Sequence, residues 1–558
     1  MSNTAGGSTE AHGQAADFAE RVHRNQEKLA SQLQPQYDFI VCGSGSSGSV
    51  VAGRLAENLD VSVLLLEAGG DDDVAPVMRA EQWPLNLGSE RDWNFVSQPS
   101  EHVNGRAIPI SMGKIVGGGS SINVMIWARG HRRDWDFFAA QAGDPAWNYN
   151  AVLEIYRRIE DWHGGPDPDY RGTGGPVFVQ PAPDPSPIAH ALLDGAQSVG
   201  IPTFENQNGR MMEGRGGAAI VDLRARDGYR QSAYRSYVFP HMHRPNLTVL
   251  THAVVNRLIF DGQTATGVEF TSNGTVHRIG AASEVVLSLG AINTPKVLMQ
   301  SGIGDQTELR RHGIAVVQHL PGVGQNLQDH IGFDCVWEYQ RPLPPRNNGV
   351  EATYFWTSDP GLEYPDLQTC QAEFPKSSSA ENTTRFRPPD TGWNLFGGLL
   401  QPQSRGQIRL TGPSPLDPVE IHANTLSHPD DVKTAIACVE LSRAVANSAE
   451  LRAFTKREVM PGNLKGAELE RFVRDAASSY WHQTGTAKMG QDTMSVVDGT
   501  LKVYGIERLR IADGSIMPRV TTGNTQAPCV IIGERAADIL RTEHHLAPTG
   551  IDSSRVEA

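Results

Sequence analysis

A chain of 558 residues is several times longer than one packed core requires, so more than one structural unit is expected. Hydrophobic residues at 39% and charged residues at 20% exclude a disordered or fibrous protein. A formal net charge of −14 without any Lys/Arg-rich run argues against nucleic acid or an anionic membrane surface as partner.

Residues 1–36 carry no apolar stretch fit for a secretory signal or an anchor, and no later run approaches the ~18 apolar residues of a membrane span. Phe18, Val22, Leu29 and Leu33 recur at helical spacing, which predicts a charged amphipathic helix over 15–33 docked on the body of the protein or on a neighbouring subunit. Five scattered cysteines lacking a CxxC pair fit neither a disulfide framework nor a zinc site, and the expectation is reduced thiols in a cytoplasmic protein.

Tyr37–Cys42 reads as a buried strand, 46–58 as a helix, and Val61–Glu67 as a continuous apolar strand of a parallel sheet. Together they predict a βαβ unit. Short strands with hairpin turns follow over 247–271. A strand over 284–289 then leads into a helix opened by Thr294-Pro295, where proline in the first turn costs nothing. Residues 340–400 show no clean period and read as substrate-side loops. A strand over 507–512 and a helix over 524–542 close the chain.

The turn of the βαβ unit is Gly43-Ser44-Gly45-Ser46-Ser47-Gly48. Gly43 permits the tight turn, Gly45 lets the backbone approach a pyrophosphate, and Gly48 lets helix and strand pack closely. The helix N-terminus then offers N–H groups to the phosphates. Glu67, at the end of the second strand, stands where an acid accepts hydrogen bonds from an adenosine ribose. No second GxGxxG occurs, which favours one tightly held cofactor reoxidised in place. Gly117-Gly118-Gly119-Ser120-Ser121 leaves bare backbone suited to a flat ring or a diphosphate. One histidine among eighteen, His482, means nothing alone, and no metal-ligand spacing accompanies it.

Taken together, the stretches 113–136, 290–304, 321–330 and the segment His482-Gln-Thr-Gly485-Thr486 resemble the glucose–methanol–choline (GMC) family of FAD oxidoreductases, in family order and spacing from about Tyr37 to His544. The resemblance implies a mixed α/β protein: a glutathione-reductase-like FAD domain and a substrate domain with a mainly antiparallel sheet. The expected boundaries are a helical extension over 1–35 and FAD-binding segments at 36–158, 225–330 and 480–547. Substrate-binding segments at 159–224 and 331–479 and a tail at 548–558 complete the division. It further implies that Gly43, Gly45, Ser46, Ser47, Gly48, Glu67, Ala68, Gly118, Asn123, Val255, Asp513 and Thr525 bind FAD. His482 matches the catalytic base and Asn524 its partner, and Trp481 is expected to wall the substrate pocket. Ile122 stands where choline oxidases attach the flavin through histidine, so the FAD is expected to be non-covalent. Gly332 stands where they carry the glutamate that pairs with the trimethylammonium group, which makes choline a poor substrate.

The chemistry expected is oxidation of a primary alcohol, aromatic or furanic first, to the aldehyde. His482 takes the hydroxyl proton, flavin N5 receives the hydride, and O2 receives the electrons. A dehydrogenase of aliphatic or sugar-like alcohols with another acceptor stays open, as does a hydroxynitrile lyase on the same fold. Composition leaves the oligomeric state undetermined.

Overall fold

The computed structural model describes residues 5–546. Two large sheets organise a mixed α/β protein. In the first, five strands run parallel in the order Leu247–Leu250, Val63–Leu66, Gln36–Cys42, Thr275–Leu287 and Leu509–Ile511. Val63 to Leu66 are all fully buried, as are Phe39 to Cys42. Burial on both faces is why these strands read as unbroken apolar runs. Each such side chain contributes about 1.5–3 kcal/mol relative to exposure. The strand Thr275–Leu287 does double service: its first half closes an antiparallel meander with Ala253–Asp261 and Thr264–Ser272, and its second half joins the parallel set.

The second sheet is antiparallel, in the order Thr455–Met460, Ile331–Tyr339, Gly392–Leu399, Leu367–Ala372, Val350–Trp356 and Gly217–Ile220. Three of its strands lie inside the stretch expected to be loops. All eight residues of Gly392–Leu399 and all six of Leu367–Ala372 are buried, so neither shows the polar alternation that marks a half-exposed strand. On one face the helix Pro429–Ala446 packs so closely that a Cβ on Gly397 would lie 2.6 Å from the Cys438 Sγ. The other face carries Cys370, Ala372, Asn394 and Phe396 into a deep cleft between the sheets.

The helix predicted to open at Thr294-Pro295 begins earlier, at Gly290, and runs to Gln300. Pro295 therefore lies inside it and leaves the carbonyl of Ala291 without its helical donor. The Thr486 hydroxyl supplies that hydrogen bond at 2.5 Å, so the carbonyl is not left unpaired. The N-terminal helix spans Ala5–Ser31 and docks on its own chain. Val22 is buried, Phe18 packs edge-on against Phe239, and Gln26 bonds the main chain at Met242, Leu247 and Val249. No described helix is long and apolar enough to cross a membrane. The five cysteines are free thiols.

Candidate active site

The cleft encloses about 1780 Å³, its open mouth included, and runs from the glycine turn to the antiparallel sheet. Gly43, Gly45, Ser46, Ser47, Glu67 and Ala68 line one end. Packing accounts for two of the three motif glycines. Gly43 has φ +95°, and a Cβ there would lie 2.3 Å from the Ser288 carbonyl oxygen; on Gly48 it would lie 1.9 Å from that of Gly43. Gly45 is different. A Cβ there would meet no protein atom closer than 4.0 Å, and its φ of −61° suits any residue. Gly119, also on the wall, has no neighbour within 4 Å of such a Cβ. Bare backbone that packing does not require, facing the cleft, is what close approach of a diphosphate would need.

Helix ends add the charge complement. Gly45 caps Ser46–Ala56, and Thr525 caps Gln526–Glu543, neither with a side-chain hydrogen bond, so both helices present free N–H groups at the cleft. They converge because they pack on each other: a Cβ on Gly533 would lie 2.7 Å from the Ser47 carbonyl oxygen, and the Ser47 hydroxyl donates to Cys529 O at 2.6 Å. Glu67 accepts from Ser44 N at 3.0 Å and Oγ at 2.6 Å and from Gly69 N at 2.9 Å. Asp513 accepts from Gly290 N at 2.9 Å and Thr294 Oγ1 at 2.6 Å. Burial pushes both carboxyls up, opposed by these donors. Gly118, Ile122 and Asn123 continue the wall, Asn123 Oδ1 accepting from Arg230 at 2.8 Å. Val255 does not reach it: the side chain is buried in the core of the meander. The residues present therefore fit a dinucleotide with a flat ring system, its phosphates toward the glycine turn and the start of the helix Ser46–Ala56.

The cleft wall also holds His482, Trp481 and Asn524, the last directly before the helix cap Thr525. His482 follows the strand Ser478–Ser479, which pairs with Ile331–Gly332, so residues 328–332 run beside 478–484. That pairing places two residues that sequence reasoning quoted only as part of a motif. Asp329 accepts from His482 N at 2.8 Å, Ser479 Oγ at 2.5 Å and Gln483 Nε2 at 2.9 Å. Burial raises its carboxyl to about 7 against those donors. His330 Nδ1 lies 2.8 Å from His482 Nδ1. Trp481 is held at φ +62°, a conformation costing about 1–3 kcal/mol that persists only where surroundings impose it. Here Ser479 Oγ accepts its N–H at 2.8 Å, and Asp329 holds the next one.

In the amide orientations of this structure the contacts fit a pattern that leaves His482 Nε2 as an acceptor. Gln368 Nε2 donates to Asn524 Oδ1 at 3.1 Å, which turns Asn524 Nδ2 toward His482 Nε2, 3.3 Å away. His482 Nε2 must then be the lone-pair nitrogen, and its proton sits on Nδ1, donated to His330 Nδ1. Burial depresses both imidazoles, His330 to about 4 and His482 well below its usual value, the latter also through His330. The result is a neutral imidazole presenting a basic nitrogen to the cleft.

Ile122 offers the cofactor no nucleophilic atom. Cys529, also on the wall, is pushed up to about 12 by burial and stays a thiol. Acid precipitation of the purified yellow protein is therefore expected to release all FAD into the supernatant; colour retained in the pellet would overturn the non-covalent reading.

A family model described as GMC oxidoreductase matches residues 37–332, and a second with the same description matches residues 402–533. The oxygen-dependent choline dehydrogenase of Sinorhizobium fredii is 36% identical over 547 residues, covering 92% of this chain and 97% of that protein. Its counterpart in Brucella anthropi is 34% identical over 536 residues, 90% of this chain and 95% of that one. Among solved structures, pyridoxine 4-oxidase from Mesorbium loti is similar at a TM-score of 0.85 and 30% identity, with 92% of this chain and all of that chain covered.

Proposed function

Since the chain belongs to the GMC oxidoreductases and is an FAD-dependent alcohol-oxidising enzyme, we propose that it oxidises primary alcohols carrying an aromatic or furanic ring, with His482 as base and O2 as acceptor. The observation that carries the reading is the Nε2 lone pair of a neutral His482 lying 3.3 Å from the Asn524 amide, against an aromatic wall. A hydroxyl entering there donates to Nε2 and accepts from Nδ2. An alcohol releases its carbinol hydrogen as hydride only as the hydroxyl proton departs. His482 takes that proton, and Asn524, which cannot, hydrogen-bonds the developing alkoxide. FAD, held by the glycine turn, Glu67, Ala68, Gly118, Asn123, Asp513 and Thr525, supplies the two-electron acceptor.

The wall favours a ring beside the carbinol. Phe396 stacks on Tyr480 at 4.4 Å, Trp481 lies 5.9 Å from Phe396, and Tyr480 lies 5.2 Å from His482. The names of the relatives make choline the second reading. Gly332 opposes it: a Cβ there would lie 2.3 Å from the Phe396 ring, so the ring fills the space in which a cation-binding side chain would have to stand.

A peroxide-coupled assay in air tests the proposal. Benzyl alcohol and 5-hydroxymethylfurfural are expected to turn over at least tenfold more efficiently than choline. Turnover of choline alone would overturn the substrate class, and turnover only with a dye acceptor would overturn the assignment of O2.

A further inference from the structure

Resting on that reading, we infer that the substrate also carries an anionic group, a carboxylate across the ring from its hydroxymethyl group, and that Lys376 recognises it. Among the described residues lining the cleft, Lys376 is the one Lys or Arg. It sits on the loop after the strand Leu367–Ala372, its Nζ 3.9 Å from the centroid of Phe396 and 5.0 Å from that of Trp481. The two rings hold the ammonium in place by cation–π attraction.

Asp334 is its counter-ion: Oδ1 lies 3.6 Å from Nζ, an ion pair that stops short of a hydrogen bond. Asp334 is engaged elsewhere: Asn394 Nδ2 donates to Oδ1 at 2.9 Å, while Ser378 donates to Oδ2 through both N–H, at 2.9 Å, and hydroxyl. Lys376 thus has three N–H donors without a hydrogen-bonded acceptor among the described residues, beside a carboxylate whose oxygens already serve others. An ammonium so placed on a cleft wall is open to a ligand anion.

Position sets the ligand's shape. From Lys376 the wall passes across Phe396 and Tyr480 to His482, three contacts in all. A single aromatic ring with its hydroxymethyl at His482 and a carboxylate opposite spans that wall, face against the rings.

The test compares kcat/KM of the holoenzyme for 4-(hydroxymethyl)benzoate and for benzyl alcohol, with Lys376→Met and Lys376→Arg beside wild type. Wild type is expected to favour the carboxylate, with a preference that weakens as salt is raised. Lys376→Met should cut the ratio of the two constants roughly 10- to 100-fold, the worth of one charge-assisted hydrogen bond, and Lys376→Arg should retain most of it. Inhibition by 4-methylbenzoate, which reads binding without turnover, should weaken by a similar factor in Lys376→Met. A ratio that Lys376→Met leaves unmoved, or a wild-type preference for the neutral alcohol, overturns the inference while leaving alcohol oxidation intact. If neither compound reduces the flavin anaerobically, the underlying reading fails and the inference with it.

Discussion

His482→Ala is expected to bind FAD as wild type does and to slow flavin reduction by a saturating alcohol roughly 10²–10⁴-fold, the usual worth of a positioned base. The cofactor should remain because none of the groups proposed to hold it is hydrogen-bonded to His482, whose own partners are Asp329, His330 and Asn524. The pH dependence follows from the same geometry. The base works only as neutral imidazole, and burial together with His330 holds its pKa well below the ordinary 6.5. Acidification through that lowered value protonates Nε2 and abolishes the reaction, whereas raising the pH above 6.5 changes nothing at this group. Anaerobic stopped-flow reduction should therefore carry the His482 acid limb below pH 6.5, any step near pH 7 belonging to Asp329, whose carboxyl burial raises to about 7. A variant that reduces at the wild-type rate, or an acid limb centred above pH 7, removes His482 from the role of base.

The parts of this arrangement differ in how plainly the residues announce them. The βαβ unit was legible because its strands are buried on both faces, which writes an unbroken apolar run on either side of a glycine turn. His482 and Asn524 were legible only by resemblance, since neither spacing nor composition singles them out. What supports them was not legible: His330 and Asp329 meet His482 through a strand pairing across some 150 residues of chain, a distance at which no local period carries information. Gln368 and Lys376 lie in a stretch whose strands are covered on both faces yet built from Thr, Gln, Cys and Gly, so it mimics loop composition. The early start of the helix at Gly290 was hidden for another reason. Its proline is tolerated inside the helix because Thr486, from a distant segment, supplies the missing donor.

Two neighbouring glycines of one motif should respond to the same substitution in opposite ways. In Gly48→Ala the new methyl falls 1.9 Å from the Gly43 carbonyl oxygen and 2.9 Å from the Ser288 Cβ. Most of that obstruction is backbone, so the helix Ser46–Ala56 must shift from the sheet, at about 1–3 kcal/mol or more. The loss should appear as a lower Tm with or without added FAD. In Gly45→Ala the backbone already has φ −61° and ψ −170°, and the methyl meets no protein atom closer than 4.0 Å. The fold should then change by no more than about 1 kcal/mol, the cost of a poorer helix cap. The methyl projects instead into the cleft, where the phosphates are proposed to approach, and an overpacked contact there should raise the FAD dissociation constant roughly 10- to 100-fold. Thermal unfolding at zero and saturating FAD, with fluorescence titration of the flavin, separates the two. Unchanged flavin affinity in Gly45→Ala would move the phosphates away from this turn, and an unchanged Tm in Gly48→Ala would show that close helix–sheet packing is not why that position is glycine.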